Sequence, residues 1–408
     1  MEKIIYTPPP DKSITIRALI LSSISEKKIK IRNPLISEDT LNTVRTLKKL
    51  GSEIKTEKNI ISVKGFGKYG AKKAAINVGE SALLLRLLLP ILIHQKYSYK
   101  ITGKKTILRR SSKDTVTALK KMGAEIIHNN YKLPFTINPS ILKPLNFEVK
   151  SAQTKSALLI ASLYSGKIII NDKYRTRDHT ERLLDYFGMK IKKKKNMIWL
   201  ENFKIKPKDI QIPNDISQAS VFITLAILSG KEIIVKNCGI NPTRIGFLNS
   251  LKKMGVKIKY KNKKILSAEP VADILVKPTK KIKPITIKDI TSLIDEVMLL
   301  SLIAAKADGI TRISNAKSLS NKESDRLKEI YNILKKLGVK VNLYVGKLTI
   351  EGPSEFKNIN FIDTKGDHRI AMIAGIIKKT INPKLKIKNP NCVKKTYPYF
   401  WKDLTRYV

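Results

Sequence analysis

Apolar helical segments alternate along the chain with a second kind of segment, in which a helix ends at a glycine and a strand follows. The strand residues alternate between apolar and polar, which indicates one buried face. Glycine is favoured where a helix closes, because it adopts left-handed backbone angles without a steric penalty. The pattern predicts helix–strand junctions at residues 47–54, 119–126, 184–191, 251–258 and 334–341.

Each apolar helical segment leads through a turn into a strand that often ends in asparagine. These segments are residues 14–33, 82–103, 155–171, 219–237, 296–315 and 369–389. Their spacing of roughly 65 to 80 residues is that of a folding unit rather than of a solenoid turn. The sequence therefore predicts an α/β (α+β) fold of six repeated units. A chain of 408 residues also exceeds one ordinary core, which favours two or three domains.

Polar and ionisable residues precede each apolar helix. They occupy residues 11–13, 79–81, 151–153, 214–217, 293–296 and 366–369. Helix N-termini present free N–H groups and a positive dipole end, so these equivalent termini are suited to anions. Ordinary N-capping explains Asp215 and Ser217. It does not explain Lys12, Arg369, or Asp295 with its acidic neighbour, which would be unusual caps.

The net charge is +47, from 80 Lys and Arg against 33 Asp and Glu. A nucleic-acid-binding protein is one interpretation of such a charge. The other is drift toward AT-rich codons, which enriches lysine, isoleucine and asparagine together, combined with small anionic substrates. The lysines are scattered, and aromatic residues make up only 6% of the chain, so stacking side chains are not interleaved with them. We therefore favour small anions as partners and do not expect nucleic acid.

The sequence predicts neither a membrane segment nor an export signal. Its apolar runs are too short or too interrupted to cross a bilayer. The first ten residues do not have a cationic region followed by an apolar one. Cys238 and Cys392 are too few for a disulfide framework or a Cys-rich zinc site. We expect a cytoplasmic monomer that does not interact with membranes.

Eight short motifs resemble those of the enolpyruvyl transferase family and follow that family's order. They are residues 11–19, 151–157, 177–182, 241–244, 293–296, 322–326, 367–369 and 392–396. Each motif alone is weak evidence, but together they extend over nearly the whole chain, from Lys12 to Lys395. Within the family, the chain is most similar to the members that act on shikimate 3-phosphate.

The resemblance implies two similar domains, each made of three α/β units in an inside-out α/β barrel, with the substrates in the cleft between them. We expect the chain to cross between the domains near residues 10 and 213. The first domain would then be residues 11–213, and the second would comprise residues 1–10 together with residues 214–408.

The implied reaction joins the 5-hydroxyl of shikimate 3-phosphate to carbon 2 of phosphoenolpyruvate and then releases phosphate, a step of aromatic amino-acid biosynthesis. It needs a base for the hydroxyl, an acid for the methylene carbon, and several cations for the phosphates and carboxylates. No cofactor and no metal are expected, because phosphoenolpyruvate is already an activated enol.

Similarity to the family assigns the site residues. The expected contacts of shikimate 3-phosphate are Lys12, Ser13, Arg17, Ser151, Gln153, Thr176, Asp295 and Lys322. The expected contacts of phosphoenolpyruvate are Lys12, Gln153, Arg326, Arg369 and Lys395. Asp295 is the expected base, Glu323 the carboxyl that handles the methylene proton, and Lys12 the cation that stabilises the tetrahedral adduct. His368 is interpreted as a ligand-shell residue or as one that orients its neighbours, and not as catalytic.

Four positions depart from the family pattern, namely Ala82, Thr106, Ala152 and Ser320. Ala82 lies where many relatives have a glycine against phosphoenolpyruvate, so we expect weaker binding of glyphosate, an inhibitor of that site. Thr106 lies where many relatives have an arginine, whose role either passes to Arg109 or Arg110 or is missing. These changes put substrate affinity in question more than reaction type.

Three other functions stay open at this point. The first is the sister enzyme acting on UDP-N-acetylglucosamine, whose flexible loop commonly bears a cysteine; residues 108–113 have none, and residues 322–326 favour the shikimate branch. The second is a basic nucleic-acid-binding relative, which a steep salt dependence of binding would indicate. The third is a decayed, inactive relative, which is compatible with the substitutions.

Overall fold

The computed structural model describes residues 3–201 and 204–407, which form a mixed α/β chain. Contacts within the chain divide it into two compact units. Unit A comprises Pro10–Ile212 with Leu266–Glu269, and unit B comprises Met1–Pro9, Pro213–Ile265 and Pro270–Val408. Each unit has a hydrophobic core of its own.

The helices among the described residues are α1 (Lys12–Ser23), α2 (Glu38–Lys49), α3 (Ala82–Ile93), α4 (Lys113–Lys121), α5 (Ala152–Ser165), α6 (His179–Tyr186), α7 (Ile216–Leu228), α8 (Gly246–Lys253), α9 (Val297–Ala304), α10 (Arg326–Lys336), α11 (His368–Thr380) and α12 (Phe400–Arg406). The strands among them are β1 (Lys3–Tyr6), β2 (Ile29–Arg32), β3 (Glu53–Glu57), β4 (Ile60–Lys64), β5 (Ile76–Asn77), β6 (Tyr99–Thr102), β7 (Ile126–Asn129), β8 (Lys132–Ile137), β9 (Phe147–Glu148), β10 (Ile170–Asn171), β11 (Ile191–Lys194), β12 (Met197–Leu200), β13 (Ile210–Gln211), β14 (Glu232–Gly239), β15 (Lys257–Leu266), β16 (Glu269–Lys277), β17 (Thr286–Ile287), β18 (Gly309–Ile313), β19 (Lys340–Tyr344), β20 (Lys347–Gly352), β21 (Phe361–Asp363) and β22 (Lys386–Lys388). Helices and strands therefore alternate in the order that the repeated pattern predicts.

Both units repeat one arrangement, in which an apolar helix leads into a strand, a second helix follows, and an antiparallel hairpin pairs with that strand. A short parallel strand covers the other edge of the sheet. In unit A the described sheets have the orders β13-β2-β4-β3, β5-β6-β8-β7 and β9-β10-β12-β11. In unit B they have the orders β1-β14-β16-β15, β17-β18-β20-β19 and β21-β22. The six predicted repeats are thus confirmed over the described residues; in the last one β22 is followed by α12, and its sheet has no antiparallel hairpin among those residues.

The first sheet of each unit borrows its parallel edge strand from a distant part of the chain. Strand β1 pairs with β14, placing Lys3 opposite Glu232, and β13 pairs with β2, placing Ile210 opposite Ile31. Residues from the beginning of the chain therefore complete unit B, and residues just before unit B complete unit A.

The glycine of each helix–strand junction has a left-handed backbone, as predicted. The φ angles are 108° at Gly51, 103° at Gly123, 83° at Gly188, 93° at Gly255 and 81° at Gly338. At the first junction, the N–H of Gly51 donates to the carbonyl of Lys48 at 3.0 Å, and the next N–H donates to the carbonyl of Leu47 at 3.0 Å. This pair of bonds is the Schellman motif, which satisfies the last carbonyls of α2 and turns the chain into β3.

The apolar helices are the interior of each unit. In α7, all residues from Ile216 to Ile227 are buried, so an apolar side chain is required on every face of the helix. Helix α3 packs against α1 and α5 in unit A, and α7 packs against α9 and α11 in unit B. The sheets lie outside them with one face exposed, as the alternating burial of β8 indicates. Within the described residues, no helix has the length and apolarity needed to cross a membrane.

Candidate functional site

The N-terminus of α1 carries the first two predicted site residues, Lys12 and Ser13. The side chain of Asp11 accepts the N–H of Ile14 at 2.8 Å and so caps the helix. The Lys12 ammonium donates to Asp39 Oδ2 at 2.8 Å, and the lysine side chain is 23% exposed. A helix N-terminus with a half-buried ammonium favours a bound anion, because charge and helix dipole act in the same direction.

Arg17 lies one turn further along α1 and is buried. Its Nε donates to Thr180 Oγ1 at 2.8 Å, and its Nη2 donates to Ser156 Oγ at 3.3 Å. Its Nη1 donates to the carbonyl of Ser13 at 3.2 Å. Residues of three helices therefore fix the plane of the guanidinium, which is the condition for bidentate binding of a carboxylate or phosphate.

The N-terminus of α5 brings Ser151 and Gln153 together with a cation that the sequence did not single out. Ser151 Oγ accepts the N–H of Gln153 at 3.3 Å, and Gln153 Oε1 accepts a hydrogen bond from Arg86 Nη1. Arg86 Nη2 also donates to the carbonyl of Ser111 at 2.9 Å. Burial and the nearby charge of Arg110 lower the pKa of Arg86 to about 10. The two positive charges of Arg86 and Arg110 repel each other, and an anion bound beside them would reduce this repulsion.

The surroundings of Arg86 help to decide whether Arg109 or Arg110 takes the role of the arginine that Thr106 replaces. Arg109 is exposed, whereas Arg110 is half-buried and close enough to lower the pKa of Arg86. Thr106 itself donates its hydroxyl to Glu80 Oε2 at 2.5 Å. The structure therefore favours Arg110 over Arg109 as the cation of this segment.

Thr176 is buried, and its hydrogen-bond donors are used inside unit A. Its N–H donates to Asp172 Oδ2 at 2.9 Å and its hydroxyl donates to the same oxygen at 3.1 Å. Its carbonyl accepts from Lys155 Nζ at 2.9 Å. Because a phosphate needs donors, Thr176 in this arrangement is less suited to binding one than Ser13 or Ser151.

In unit B, Arg326 contacts two carboxylates, those of Asp295 and Asp367. Its Nε and Nη2 donate to the two carboxylate oxygens of Asp367 at 2.8 Å and 3.1 Å, and its Nη1 donates to Asp295 Oδ1 at 3.2 Å. Burial lowers the pKa of Arg326, but Asp367 raises it more, so the net shift is upward. Asp367 also caps α11 by accepting the N–H of Arg369 at 2.9 Å.

Glu323 lies in the same cluster, between a histidine and a lysine. His368 Nδ1 is 2.9 Å from Glu323 Oε2, and Lys395 Nζ is 3.7 Å from the same oxygen. Burial raises the pKa of Glu323, but contact with His368 and the charges of Lys395 and Arg326 lower it well below its usual range. Burial lowers the pKa of His368, and the nearby carboxylate of Glu323 opposes this shift. The interpretation of His368 as a residue that orients its neighbour is therefore favoured.

The remaining predicted residues of unit B lie at helix termini. Lys322 is half-buried and follows a short 3-10 turn, Lys317–Asn321. Just before it, Ser320 Oγ donates to Asp325 Oδ1 at 3.1 Å. Arg369 is the second residue of α11, and its Nη1 donates to the carbonyl of Ser217 at 3.4 Å.

The interpretation of Ser217 as an N-cap is wrong. Asp215 is the cap of α7, as predicted, and accepts the N–H of Ser217 at 2.8 Å. The Ser217 hydroxyl instead donates to Glu296 and accepts from Arg244 Nη2 at 2.7 Å. Serine at the second helical position reaches across to α9, because the capping place is already taken by the aspartate two residues earlier.

One group of side chains has the composition of a metal site. In the part of the chain that the structure describes, Glu323, Asp367 and His368 place one potential ligand atom each within 4.8 Å of one another. Both oxygens of Asp367 accept from Arg326, and Glu323 accepts from His368. The arrangement is therefore explained by ion pairs and hydrogen bonds, and we assign no metal to it.

The sequence missed several partners of the predicted residues, above all Asp39, Arg86 and Lys155. Lys155 carried a readable signal, because it is a cation inside a segment that is otherwise apolar or small. Asp39 lies on the second helix of the repeat that begins with Lys12, and Arg86 lies in another repeat than Gln153, so no local pattern indicates either pairing.

Residues 1–404 match the family model of EPSP synthase (3-phosphoshikimate 1-carboxyvinyltransferase). The 3-phosphoshikimate 1-carboxyvinyltransferase of Endomicrobium trichonymphae is 38% identical, over 97% of this chain and 95% of the relative. That of Aquifex aeolicus is 34% identical, over 98% of this chain and 96% of the relative.

Solved structures agree with these relatives. The structure of EPSP synthase from Acinetobacter baumannii aligns with a TM-score of 0.83 and 30% identity, covering 99% of this chain and 95% of that one. The enolpyruvyl transferase NikO from Streptomyces tendae aligns with a TM-score of 0.75 over 99% of this chain and 94% of its own. Its identity of 14% makes it evidence for the fold alone.

Proposed function

The chain belongs to the EPSP synthase family, and from this premise we propose that it transfers the enolpyruvyl group of phosphoenolpyruvate to the 5-hydroxyl of shikimate 3-phosphate, releasing phosphate. The observation that carries the proposal is the ion-paired cluster of unit B. There, Asp295 accepts a hydrogen bond from Arg326, and the ionised Glu323 lies in the field of the same arginine. An addition–elimination needs two such carboxylates, one for a hydroxyl proton and one for a carbon-bound proton.

The predicted residues divide between the substrates as the family resemblance implies. The expected contacts of shikimate 3-phosphate are Lys12, Ser13, Arg17, Ser151, Gln153, Thr176, Asp295 and Lys322. The expected contacts of phosphoenolpyruvate are Lys12, Gln153, Arg326, Arg369 and Lys395. The buried, hydrogen-bonded state of Arg17 and Arg326 supports these roles, because an arginine with a fixed plane loses little entropy on binding an anion.

In the addition step, Asp295 accepts the proton of the 5-hydroxyl of shikimate 3-phosphate. The oxygen of that hydroxyl bonds to carbon 2 of phosphoenolpyruvate. A protonated Glu323 gives its proton to the methylene carbon, which becomes a methyl group. Glu323 is ionised in the free protein, so it must first take up a proton. The negative charges of the two substrates favour this uptake, because added negative charge raises the pKa of a carboxyl group. Lys12 stabilises the charge of the adduct.

In the elimination step, the Glu323 carboxylate takes one proton back from the methyl group, and the double bond between carbons 2 and 3 re-forms. The bond between carbon 2 and the phosphate oxygen breaks, and the proton held by Asp295 leaves with the phosphate. Both carboxyl groups thereby return to the protonation states in which the addition began.

The test is release of phosphate from phosphoenolpyruvate by the purified full chain, with and without shikimate 3-phosphate. We expect release that depends on shikimate 3-phosphate and falls by about 10²- to 10⁴-fold in Asp295→Asn, the usual effect of removing a general base. The matched control is Asp289→Asn, an exposed aspartate of the same segment whose Oδ1 accepts from Thr291. It should leave the rate unchanged.

Other outcomes would overturn the proposal. Phosphate release with UDP-N-acetylglucosamine but not with shikimate 3-phosphate would assign the protein to the sister reaction. Release that is equal in Asp295→Asn and the unmodified protein would remove Asp295 from the role of base.

A further inference from the structure

Lys155 is a buried cation for which the proposed chemistry has no use. It lies one turn into α5, and 1% of its side chain is exposed. Its Nζ is 2.8 Å from Asp172 Oδ2, 2.6 Å from Glu181 Oε1, and 2.9 Å from the carbonyl of Thr176. The ammonium donates hydrogen bonds to Asp172 and to the carbonyl of Thr176, and it forms an ion pair with Glu181.

The buried ion pairs of Lys155 contribute little to the stability of the fold, so their role is better explained by the residues that they hold in place. Withdrawing one lysine and two carboxylates from water costs several kcal/mol per ion, and their attraction repays this only in part. Burial raises the pKa of Glu181 even though Lys155 is beside it. A buried ionic group kept despite such a penalty is explained if it fixes a geometry that an apolar group would not.

One geometry that Lys155 fixes is the segment between β10 and α6. Asp172 accepts both the N–H and the hydroxyl of Thr176, at 2.9 Å and 3.1 Å. Lys155 binds Asp172 and the carbonyl of Thr176 at once, so it closes a ring of hydrogen bonds around this residue. Without the ammonium, Asp172 and the carbonyl would face each other as two acceptors.

The other geometry is the orientation of Arg17. Lys155 and Ser156 are neighbours on α5, and Glu181 and Thr180 are neighbours on α6. The Lys155–Glu181 ion pair therefore runs beside the hydrogen bond from Thr180 Oγ1 to Ser156 Oγ, which is 2.7 Å long. Both hydroxyls of this second pair accept from Arg17, at 2.8 Å and 3.3 Å. A shift of α6 along α5 would carry Thr180 away from the guanidinium.

We propose that Lys155 is a positioning residue for shikimate 3-phosphate, holding Arg17 and the segment of Thr176 in place through Glu181 and Asp172 without touching the substrate. This inference rests on the proposed function, which assigns Arg17 and Thr176 to that substrate and not to phosphoenolpyruvate. The effect of losing Lys155 is therefore selective between the two substrates. A merely structural lysine would instead change the folded fraction and affect both substrates alike.

The experiment compares Lys155→Met with the unmodified full chain. We expect the KM for shikimate 3-phosphate and its calorimetric Kd to rise about tenfold, which corresponds to about 1.4 kcal/mol. The KM for phosphoenolpyruvate should stay within about twofold and kcat within about threefold, because groups that bind only one substrate carry the change. Lys155→Arg, which keeps the charge but not the compact ammonium, should give a smaller rise.

Two further variants separate positioning from folding. Glu181→Gln keeps the Lys155–Asp172 pair and disturbs only the α6 contact, so it serves as the test if Lys155→Met does not fold. We expect it to raise the same KM about threefold, in proportion to the loss of one of several contacts. The matched control is Lys236→Met, which removes the ion pair between Lys236 and Asp273 in unit B and should leave both KM values unchanged.

The outcomes are distinct. Folded Lys155→Met and Glu181→Gln with an unchanged KM and Kd for shikimate 3-phosphate would overturn the inference and leave the proposed function standing. An equal rise in both KM values would overturn it as well. An unmodified protein that neither binds nor turns over shikimate 3-phosphate would overturn the proposed function, and the inference with it.

Discussion

Replacing Asp367 by asparagine removes one buried charge while keeping the shape of the side chain. Asp367 is fully buried and accepts two hydrogen bonds from Arg326, at 2.8 Å and 3.1 Å. Asparagine caps a helix about as well as aspartate, so the cap of α11 is retained. The loss falls on the bonds that Asp367 Oδ2 accepts from Arg326 and Ser324, and Arg326 keeps its contact with Asp295. Removing one partner of a buried ion pair costs about 3–5 kcal/mol.

The expected result is a lower melting temperature of unit B. At about 2–4 °C per kcal/mol for a unit of this size, the loss corresponds to about 6–20 °C. Calorimetry of the full chain measures it. The matched control is Asp363→Asn, because Asp363 pairs with the exposed Lys365 and Lys388 at 3.6 Å and 3.4 Å. Ion pairs of that kind contribute at most about 1 kcal/mol, so the control should melt close to the unmodified protein.

The pH dependence of the same variant provides an independent check. Burial raises the pKa of Asp367, and the charge of Arg326 lowers it. The net shift is downward, so the pKa in the folded state lies below the usual value. The carboxylate therefore adds stability above the unfolded-state pKa of about 3.9, and this stability is lost as the pH falls through the folded-state value. The difference in melting temperature should be largest near pH 7 and shrink below about pH 4. A small difference at neutral pH, or one that grows on acidification, would refute the reasoning.

Three further predictions concern the site. Arg110→Ala should raise the KM for phosphoenolpyruvate about tenfold, whereas Arg109→Ala should leave it unchanged; equal effects would contradict the choice between them. His368→Phe removes the hydrogen bond to Glu323, so the pKa assigned to that carboxyl in the pH–rate profile should rise by about one unit, and an unmoved profile would argue against the contact. Ala82→Gly should strengthen inhibition by glyphosate, measured as a lower inhibition constant; tight, competitive inhibition of the unmodified protein would show that the methyl group is no obstacle.

The fold was predictable because its signals are local and repeated. Left-handed glycines such as Gly51 lie within a few residues of the helix they close. The apolar helices are recognisable because burial on all faces leaves no charged position and only small or uncharged polar residues, as in α7.

The motifs predict candidate site residues, but they do not predict which residues these contact. The motifs give Lys12 and Arg326 as binding residues. The partner of Lys12 lies 27 residues away in another helix, and the partner of Arg326 lies 41 residues away in another repeat. Contacts over such distances depend on how repeats pack, which residue type and spacing do not encode.

Thr176 illustrates the same limit from the other side. Similarity to the family assigned it a substrate contact, yet its N–H and hydroxyl donate to Asp172. A sequence shows which groups could bind a phosphate, whereas their availability depends on acceptors elsewhere in the chain.

The pairing of β1 with β14 and of β13 with β2, each over some two hundred residues of chain, has a consequence for synthesis on the ribosome. Unit A is complete once β13 has emerged, apart from the short turn Leu266–Glu269, so it can fold while most of unit B is still unmade. Strand β1 is made before its partner β14, so Lys3 cannot pair until Glu232 has been synthesised. At about 5–20 residues per second, that wait lasts about 10–50 seconds, during which an unpaired strand edge is exposed. The nascent chain is therefore most exposed to mispairing at its N-terminus, and shortening β1 should slow the folding of unit B while leaving unit A unaffected.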